Sequence, residues 1–153
     1  MKILKRLLIE EKQRTTMSKF KFGKRSKEKL DGVDENVKRL CEKALKYSTV
    51  DFSVIDGSRT QSEQKAMFDK GVSELDGQML ISDHQLGLAI DVIPYVKGMD
   101  PWDVEDDQVK LAYMEMYRAF MRAGMKLGMM LEFGFGYNIG GGRDMPHISV
   151  KQM

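Results

Sequence analysis

The chain has two histidines, and each lies close to a carboxylate in the sequence. His84 belongs to the segment SDHQLGLAID, residues 82–91, which has the form S-x-H-x-x-G-x-A-x-D. Gly87 and Ala89 are small enough for the backbone to turn and pack closely, so His84 on a loop and Asp91 on the following strand can converge. An imidazole nitrogen and a carboxylate oxygen at one point are typical ligands of Zn²⁺. The segment therefore predicts part of a zinc site.

The second histidine, His147, ends the segment DMPH at residues 144–147. His147 is the candidate third ligand, and Asp144 is expected to stand just off the metal. Two histidines and one aspartate leave a fourth zinc position open for water, as in catalytic sites, whereas structural sites are filled by protein ligands. Taken together, the two segments predict one catalytic zinc ion per chain.

Three helices are expected to support these segments. Apolar residues recur at helical spacing over residues 34–47 and again, over a longer stretch, from Asp103 to Leu127. Between them, Thr60 and Glu63 form a capping-box pattern that opens a shorter helix. The predicted helices alternate with predicted strands, so helices are available to cover a sheet.

Alternating or continuous apolar residues predict short strands. These are expected over residues 50–56, 88–93, 129–133 and 147–150. Pro94 is expected to end the second of them, because proline cannot donate to a strand ladder. Asp91 and His147 thus lie on two different predicted strands.

Length and composition exclude several classes. The 153 residues suit one domain, and a net charge of +2 leaves no nucleic-acid-binding footprint. No apolar run is long enough to span a bilayer. The single cysteine, Cys41, excludes an internal disulfide and falls on the buried stripe of a predicted helix. We expect residues 1–16 to be an N-terminal extension of uncertain status and not a signal peptide, with residues 17–153 forming one catalytic domain.

The motifs together resemble the zinc peptidases of the D-Ala-D-Ala carboxypeptidase group, which includes vancomycin-resistance dipeptidases. The closer resemblance is to phage endolysins that are L-alanyl-D-glutamate peptidases. It rests on the two metal segments and on FKFGKRS, DFSVIDGSRTQSEQKAMFDKG and AIDVIPYVKG, and it covers about residues 18–150. The resemblance implies an α+β fold of the D-Ala-D-Ala peptidase/Hedgehog type, with a small antiparallel sheet flanked by helices and zinc at the open face.

The resemblance also implies roles for individual residues. His84, Asp91 and His147 would bind zinc, Asp144 would be the general base, and Arg59 would face the substrate. The Arg59 guanidinium is suited both to holding a substrate carboxylate and to stabilising the tetrahedral oxyanion. The sequence does not separate these two acts, and the alternative for Arg59 is a surface salt bridge.

Four further residues are weaker candidates. Gln64 is expected to support the site, and Ser82 either to hydrogen-bond near His84 or merely to cap the loop. Phe135 and Tyr137 belong to the segment FGFGY, where relatives carry a WGGDW-like segment that helps to shape the substrate cleft. This chain keeps aromatic residues there but lacks the acidic one, so it departs from the resemblance in the segment that shapes the substrate cleft.

The function expected from the resemblance is hydrolysis of the peptidoglycan stem peptide between L-alanine and D-glutamate, as a phage lysis enzyme. One alternative is a D,D- or L,D-carboxypeptidase, and another is an inactive zinc-containing module that only binds the cell wall. The expected partners are the stem peptide and, for export, a holin, with no nucleic acid and with the chain as a monomer. We expect synthesis in the host cytoplasm and action on the cell wall after membrane permeabilisation.

Overall fold

In the computed structural model, residues 2–5, 17–136, 138–139 and 142–152 are described. The helices are α1 (Lys24–Leu30), α2 (Glu35–Tyr47), α3 (Gln61–Asp69) and α4 (Asp107–Leu127). The strands are β1 (Asp51–Asp56), β2 (Ala89–Tyr95), β3 (Met130–Phe133), β4 (Asn138–Ile139), β5 (Gly142–Arg143) and β6 (His147–Gln152), and a 3₁₀ turn covers Gly134–Gly136.

An antiparallel sheet carries the candidate site, with strand order β1-β2-β6-β3, and β4 and β5 form a separate small hairpin. Helices α2 and α4 pack against each other, α4 also contacts β2 and β3, and α1 contacts β1. The predicted α+β class with a small antiparallel sheet and flanking helices is confirmed.

The core lies between the sheet and helices α2 and α4. Its members are apolar side chains that project from one stripe of each helix and from alternate positions of the strands. They include Val37, Leu40, Cys41, Phe52, Val54, Ile90, Val92, Val109, Met116, Phe120, Ile148 and Val150. Cys41 has no exposed surface, and this burial raises the pKa of its thiol. The cysteine is therefore a core residue, as expected.

Helix boundaries follow from side-chain caps. The Asp34 carboxylate accepts the N–H of Asn36 at the start of α2, and Thr60 with Glu63 makes the predicted capping box of α3. The long helix starts at Asp107 and not at Asp103 as expected, because the carboxylate of Asp106 caps it. Residues before that cap form turns in place of a first helical turn.

One helix was missed in the sequence analysis, and the end of one strand was predicted wrongly. Helix α1 was not predicted, because only Ser26 and Leu30 are buried along it and its apolar periodicity is weak. Strand β2 continues through Pro94 to Tyr95, although Pro94 was expected to end it. Beyond Asp91 the ladder of β2 is formed with β1 alone, so the missing N–H of Pro94 lies on an unpaired side.

No helix in the described part of the chain combines the length and the apolar character needed to cross a membrane.

Candidate metal centre

A row of three polar residues crosses the sheet on the face opposite the core. Asp91 of β2 pairs with His147 of β6 on one side and with Asp56 of β1 on the other. A register shift between Val54 and Asp56 brings Asp56 into this row. Directly paired residues of antiparallel strands project from the same face, so the register alone places the Asp91 carboxylate beside the His147 ring.

His84 reaches the same place from the loop before β2. The backbone carbonyl of His84 accepts the N–H of Arg59 at 3.0 Å and that of Gly87 at 3.2 Å, so the loop turns tightly under the sheet face. Gly87 has a φ of +70°, in the left-handed region that favours glycine. The predicted convergence of His84 and Asp91 is therefore present, and it depends on this turn.

The three side chains form a group that could hold a metal ion. His84 Nε2 lies 3.2 Å from His147 Nδ1, and Asp91 Oδ1 lies 3.4 Å from each of these nitrogens. Zinc bonds of about 2.0–2.1 Å in a tetrahedron place neighbouring ligand atoms roughly 3.3 Å apart. The observed separations match one triangular face of such a tetrahedron.

The chemistry of the three donor atoms also fits zinc. His84 Nδ1 lies 2.7 Å from the carbonyl oxygen of Gly57, which fixes the proton on Nδ1 and leaves the Nε2 lone pair for a metal. Asp91 Oδ1 is buried and accepts no hydrogen bond from the described residues. A buried carboxylate oxygen without a donor is costly unless a cation satisfies it. The group therefore offers two imidazole nitrogens and one carboxylate oxygen to one ion.

Burial and neighbouring charges shift the pKa values of Asp91 and His84. Burial alone would raise the pKa of Asp91, but the imidazoles of His147 and His84 outweigh it and hold that pKa well below its usual range. Burial opposes protonation of His84, yet the Asp91 carboxylate outweighs it and raises the pKa of the ring. A carboxylate that stays ionised is the form that binds a cation.

Arg59 holds the other oxygen of Asp91. Its Nη2 lies 3.4 Å from Asp91 Oδ2 and 2.8 Å from Asp56 Oδ2, Nε donates to the same Asp56 oxygen at 2.8 Å, and Nη1 donates to Gln64 Oε1 at 3.0 Å. The Arg59 side chain is 12% exposed, so it is not the surface ion pair of the alternative interpretation. Arg59 leaves Asp91 Oδ1 directed at the two histidines.

The weaker candidates lie at different distances from this centre. Gln64 is fully buried, and its Nε2 donates to Ser73 Oγ and to the Leu75 carbonyl, so it braces Arg59 against the following loop. Ser82 Oγ accepts the N–H of Gln85 at 3.3 Å, which is the loop-capping role. The contact to His84 that was the other possibility for Ser82 is made by the Gly57 carbonyl instead.

Phe135 is 40% exposed and packs its ring 5.1 Å from that of Tyr117, beside the turn that carries His147. Tyr137, the other aromatic candidate, lies outside the described residues.

Asp144 begins the turn that leads to His147. It is partly buried, and its carbonyl accepts the N–H of His147 at 3.3 Å. Burial and the neighbouring Asp91 carboxylate raise the pKa of Asp144. Asp144 thus shares the electrostatic environment of the metal group, and a raised pKa suits a carboxylate that must gain and release a proton near neutral pH.

Sequence reasoning missed two residues that contact this turn. Tyr117 of α4 donates from Oη to the Met145 carbonyl at 2.7 Å. Gly134 has no room for a side chain, because an added Cβ would overlap the Asp144 carbonyl oxygen and lie 2.6 Å from His147 Cβ. The glycine was visible in the FGFGY segment, but only the packing of β3 beside β6 gives it this role.

The chain is similar to known proteins over most of its length. A sequence model of the family described as phage L-alanyl-D-glutamate peptidase matches residues 17–149. The L-alanyl-D-glutamate peptidase of Escherichia phage T5 is 35% identical over 123 residues, which are 80% of this chain and 85% of that protein.

One solved structure agrees with these sequence matches. The L-Ala D-Glu endopeptidase ChiX of Serratia marcescens superposes with a TM-score of 0.68 and 30% identity, over 87% of this chain and 92% of that chain. The vancomycin resistance D,D-dipeptidase VanXYg aligns with a TM-score of 0.49 and 18% identity, over 78% of this chain and 51% of that chain, which is too distant to bear on function.

Proposed function

The chain belongs to the phage L-alanyl-D-glutamate peptidase family, and from this premise we propose that it is a zinc-dependent endopeptidase that cuts the stem peptide of peptidoglycan between L-alanine and D-glutamate. The resemblance expected from the motifs is confirmed, both by the family match and by the likeness to the ChiX endopeptidase. The protein is a peptidase of the phage endolysin type that hydrolyses peptidoglycan.

The observation that carries the zinc proposal is the spacing of His84 Nε2, Asp91 Oδ1 and His147 Nδ1, all 3.2–3.4 Å apart. This spacing, the tautomer set by Gly57 and the unsatisfied Asp91 oxygen support zinc over the hard cations, which prefer oxygen ligands. When bound, zinc supplies Lewis acidity, which polarises the scissile carbonyl and makes a water acidic near neutral pH. Three protein ligands leave a position for that water.

Asp144 is the proposed general base. Its raised pKa and its place one turn before His147 support a carboxylate that takes a proton from the attacking water and passes it to the leaving amine. Proton transfer of this kind contributes about 10²–10⁴-fold to the rate. An inactive wall-binding module would have no use for such a base.

Arg59 is proposed to serve both the site and the substrate. Nε and Nη2 face Asp56, Nη2 also faces Asp91, and Nη1 donates to Gln64, so four of the five N–H groups are engaged and, among the described residues, one N–H of Nη1 has no acceptor. That remaining donor is available to a substrate carboxylate or to the oxyanion that forms at the scissile carbonyl. Arg59 therefore orients a metal ligand with one side of its guanidinium and meets substrate with the other.

The test is mass spectrometry of the products released from purified peptidoglycan by the zinc-loaded protein, with a chelated sample as control. We expect peptides that begin with D-glutamate and glycan stems that end in L-alanine, both abolished by the chelator. Release of free D-alanine would instead assign a D,D- or L,D-carboxypeptidase. Absence of any product despite bound zinc would assign the wall-binding module.

Three finer proposals follow from the same family. Residues 17–153 form the catalytic domain, which agrees with the extent of the family match. The chain acts as a monomer, which light scattering of the zinc-loaded protein tests directly. It is made in the host cytoplasm and meets the wall when a holin permeabilises the membrane, so expression alone should lyse cells far more slowly than coexpression with a holin.

A further inference from the structure

Tyr117 links the long helix to the turn that carries both His147 and Asp144. Its side chain is 7% exposed, and its Oη donates to the Met145 carbonyl at 2.7 Å. Met145 lies inside the turn, next to the candidate base and two residues before the metal ligand. The hydrogen bond therefore acts on the backbone that sets where both functional side chains lie.

The Tyr117 ring has little freedom, because the rings of Tyr113, Phe133 and Phe135 pack against it. The ring of Phe133, at the end of β3, lies 5.2 Å from it, and the ring of Phe135, in the 3₁₀ turn, lies 5.1 Å from it. Phe133 and Phe135 are themselves 5.8 Å apart. A hydroxyl on a ring fixed in this way specifies the position of its acceptor, since aromatic packing and the hydrogen bond cannot both be kept if the turn moves.

The same turn is held at two further points by contacts to the backbone. The Pro146 carbonyl accepts the N–H of Val92 at 3.0 Å, just past the end of the β2–β6 ladder. Gly134 lies directly against Asp144 and the Cβ of His147. These contacts come from β2 and from the 3₁₀ turn after β3, whereas the hydroxyl of Tyr117 provides the contact to helix α4.

We propose that Tyr117 is a positioning residue of the metal centre, whose hydroxyl holds the 144–147 turn where His147 Nδ1 meets His84 and Asp91. The inference rests on the proposed function only in taking zinc as the metal. Burial raises the pKa of the Tyr117 hydroxyl above its ordinary value, which favours the protonated form that donates this hydrogen bond.

The chain offers a matched control on the same helix. Tyr113 is fully buried, its ring lies 5.8 Å from that of Tyr117, and its Oη donates to the Pro101 carbonyl at 3.1 Å, in the loop that precedes α4. Tyr113→Phe and Tyr117→Phe each remove one hydroxyl and one buried hydrogen bond to a loop carbonyl, while both keep the ring. The two variants differ in which loop is released.

The experiment measures zinc affinity by competition with a chromophoric chelator, together with the thermal midpoint of each metal-free protein. We expect both variants to lose similar thermal stability. Tyr117→Phe should also weaken zinc binding by about tenfold or more, the size typical of residues that orient metal ligands. Tyr113→Phe should change zinc affinity by less than about twofold. With peptidoglycan as the substrate, the zinc-saturated Tyr117→Phe variant should have a lower kcat and a nearly unchanged KM, because Asp144 moves with the turn.

Zinc affinity of Tyr117→Phe equal to that of the parent, with only its thermal midpoint lowered, would overturn the proposal and leave Tyr117 a core residue. Met145→Leu removes the sulfur, which lies 3.8 Å from the Tyr117 hydroxyl, but keeps the backbone carbonyl that accepts the hydrogen bond. This variant should leave zinc affinity unchanged. If Tyr117→Phe weakens zinc binding but the parent releases no peptide from peptidoglycan, the positioning role stands and the proposed function fails.

Discussion

The metal centre has two halves that are built differently. In the half that holds His84 and Asp91, a network of side chains orients the Asp91 carboxylate: Arg59 contacts Asp91 Oδ2 and is itself held by Asp56 and Gln64. The half that holds Asp144 and His147 is positioned mainly through its backbone, by strand pairing and by contacts to carbonyls. Hydrogen bonds between side chains thus orient one half, and contacts to the backbone position the other.

Because of this difference, the two halves should be sensitive to different substitutions. A polar network fails when one member loses its geometry, because the remaining buried groups are left unsatisfied. A turn held through its backbone depends on the groups that contact that backbone and on the space around it. Substitutions chosen for each half should therefore weaken the same site by different routes.

The largest effect is expected from removing one ligand of each half. His84→Ala and His147→Ala should each lose stoichiometric zinc and all measurable hydrolysis, because two remaining ligands do not make a zinc site. Zinc content after dialysis, by atomic absorption, is the measurement. Asp83→Asn is the control, since Asp83 pairs with Lys151 and should leave zinc bound. Stoichiometric zinc in both histidine variants would contradict the assigned site.

The next largest effect is expected at Asp144. Asp144→Asn keeps the size of the side chain but removes the base, so the variant should retain zinc and lose about 10²–10⁴-fold in kcat. The measurement is the rate at which each protein releases soluble peptide from peptidoglycan at saturating zinc. A variant that loses zinc as fully as His147→Ala would make Asp144 a ligand in place of a base.

Arg59→Lys tests the network of the first half. A lysine cannot reproduce the planar fork that joins Asp56, Gln64 and Asp91, so zinc affinity should fall by about tenfold or more. Arg118→Lys is the matched control, because Arg118 makes only an exposed pair with Glu115 on the surface of α4. Equal zinc affinities in the two variants would show that Arg59 does not position Asp91.

Gly134→Ala tests the packing of the second half. The new methyl group would overlap the Asp144 carbonyl oxygen and crowd His147, at a cost of about 1–3 kcal/mol in the free energy of unfolding. Zinc affinity should fall with it, because His147 has to shift. Gly23→Ala adds the same methyl group where no atom lies within 4 Å, so it should lower neither the free energy of unfolding nor the zinc affinity. Urea unfolding and chelator competition measure the two effects.

The smallest effect concerns pH in the metal-free protein. Burial lowers the pKa of His84, but the Asp91 carboxylate raises it by more. The midpoint of the His84 titration should therefore lie above the ordinary value of 6.5. Because the folded-state pKa is raised, protonated His84 stabilises the metal-free fold at low pH, and this contribution is lost as pH rises through the folded-state pKa. Protons should likewise compete with zinc as pH falls through it. An NMR titration with a His84 midpoint at or below 6.5 would contradict this.

Local patterns in the sequence were sufficient for much of the fold. Apolar spacing predicts α2 and the body of α4, and the capping box predicts the start of α3, because these depend on neighbouring residues along one element. The meeting of His84 and Asp91 is also largely local, since a glycine turn and the start of one strand bring them together. Helix α1 was missed because few of its residues are buried.

The residues in the sequence determined the chemistry of this protein: two histidines and two aspartates in an order that resembles a peptidase family. The tertiary structure decided how they meet, because His84 and His147 are 63 residues apart and become neighbours only when the register of β2 with β6 sets His147 beside Asp91, to which the loop turn has already brought His84. It also decided that Arg59 contacts Asp91, and that Tyr117 and Gly134 contact the 144–147 turn. Such contacts join elements that are distant in the chain, and no local spacing encodes them.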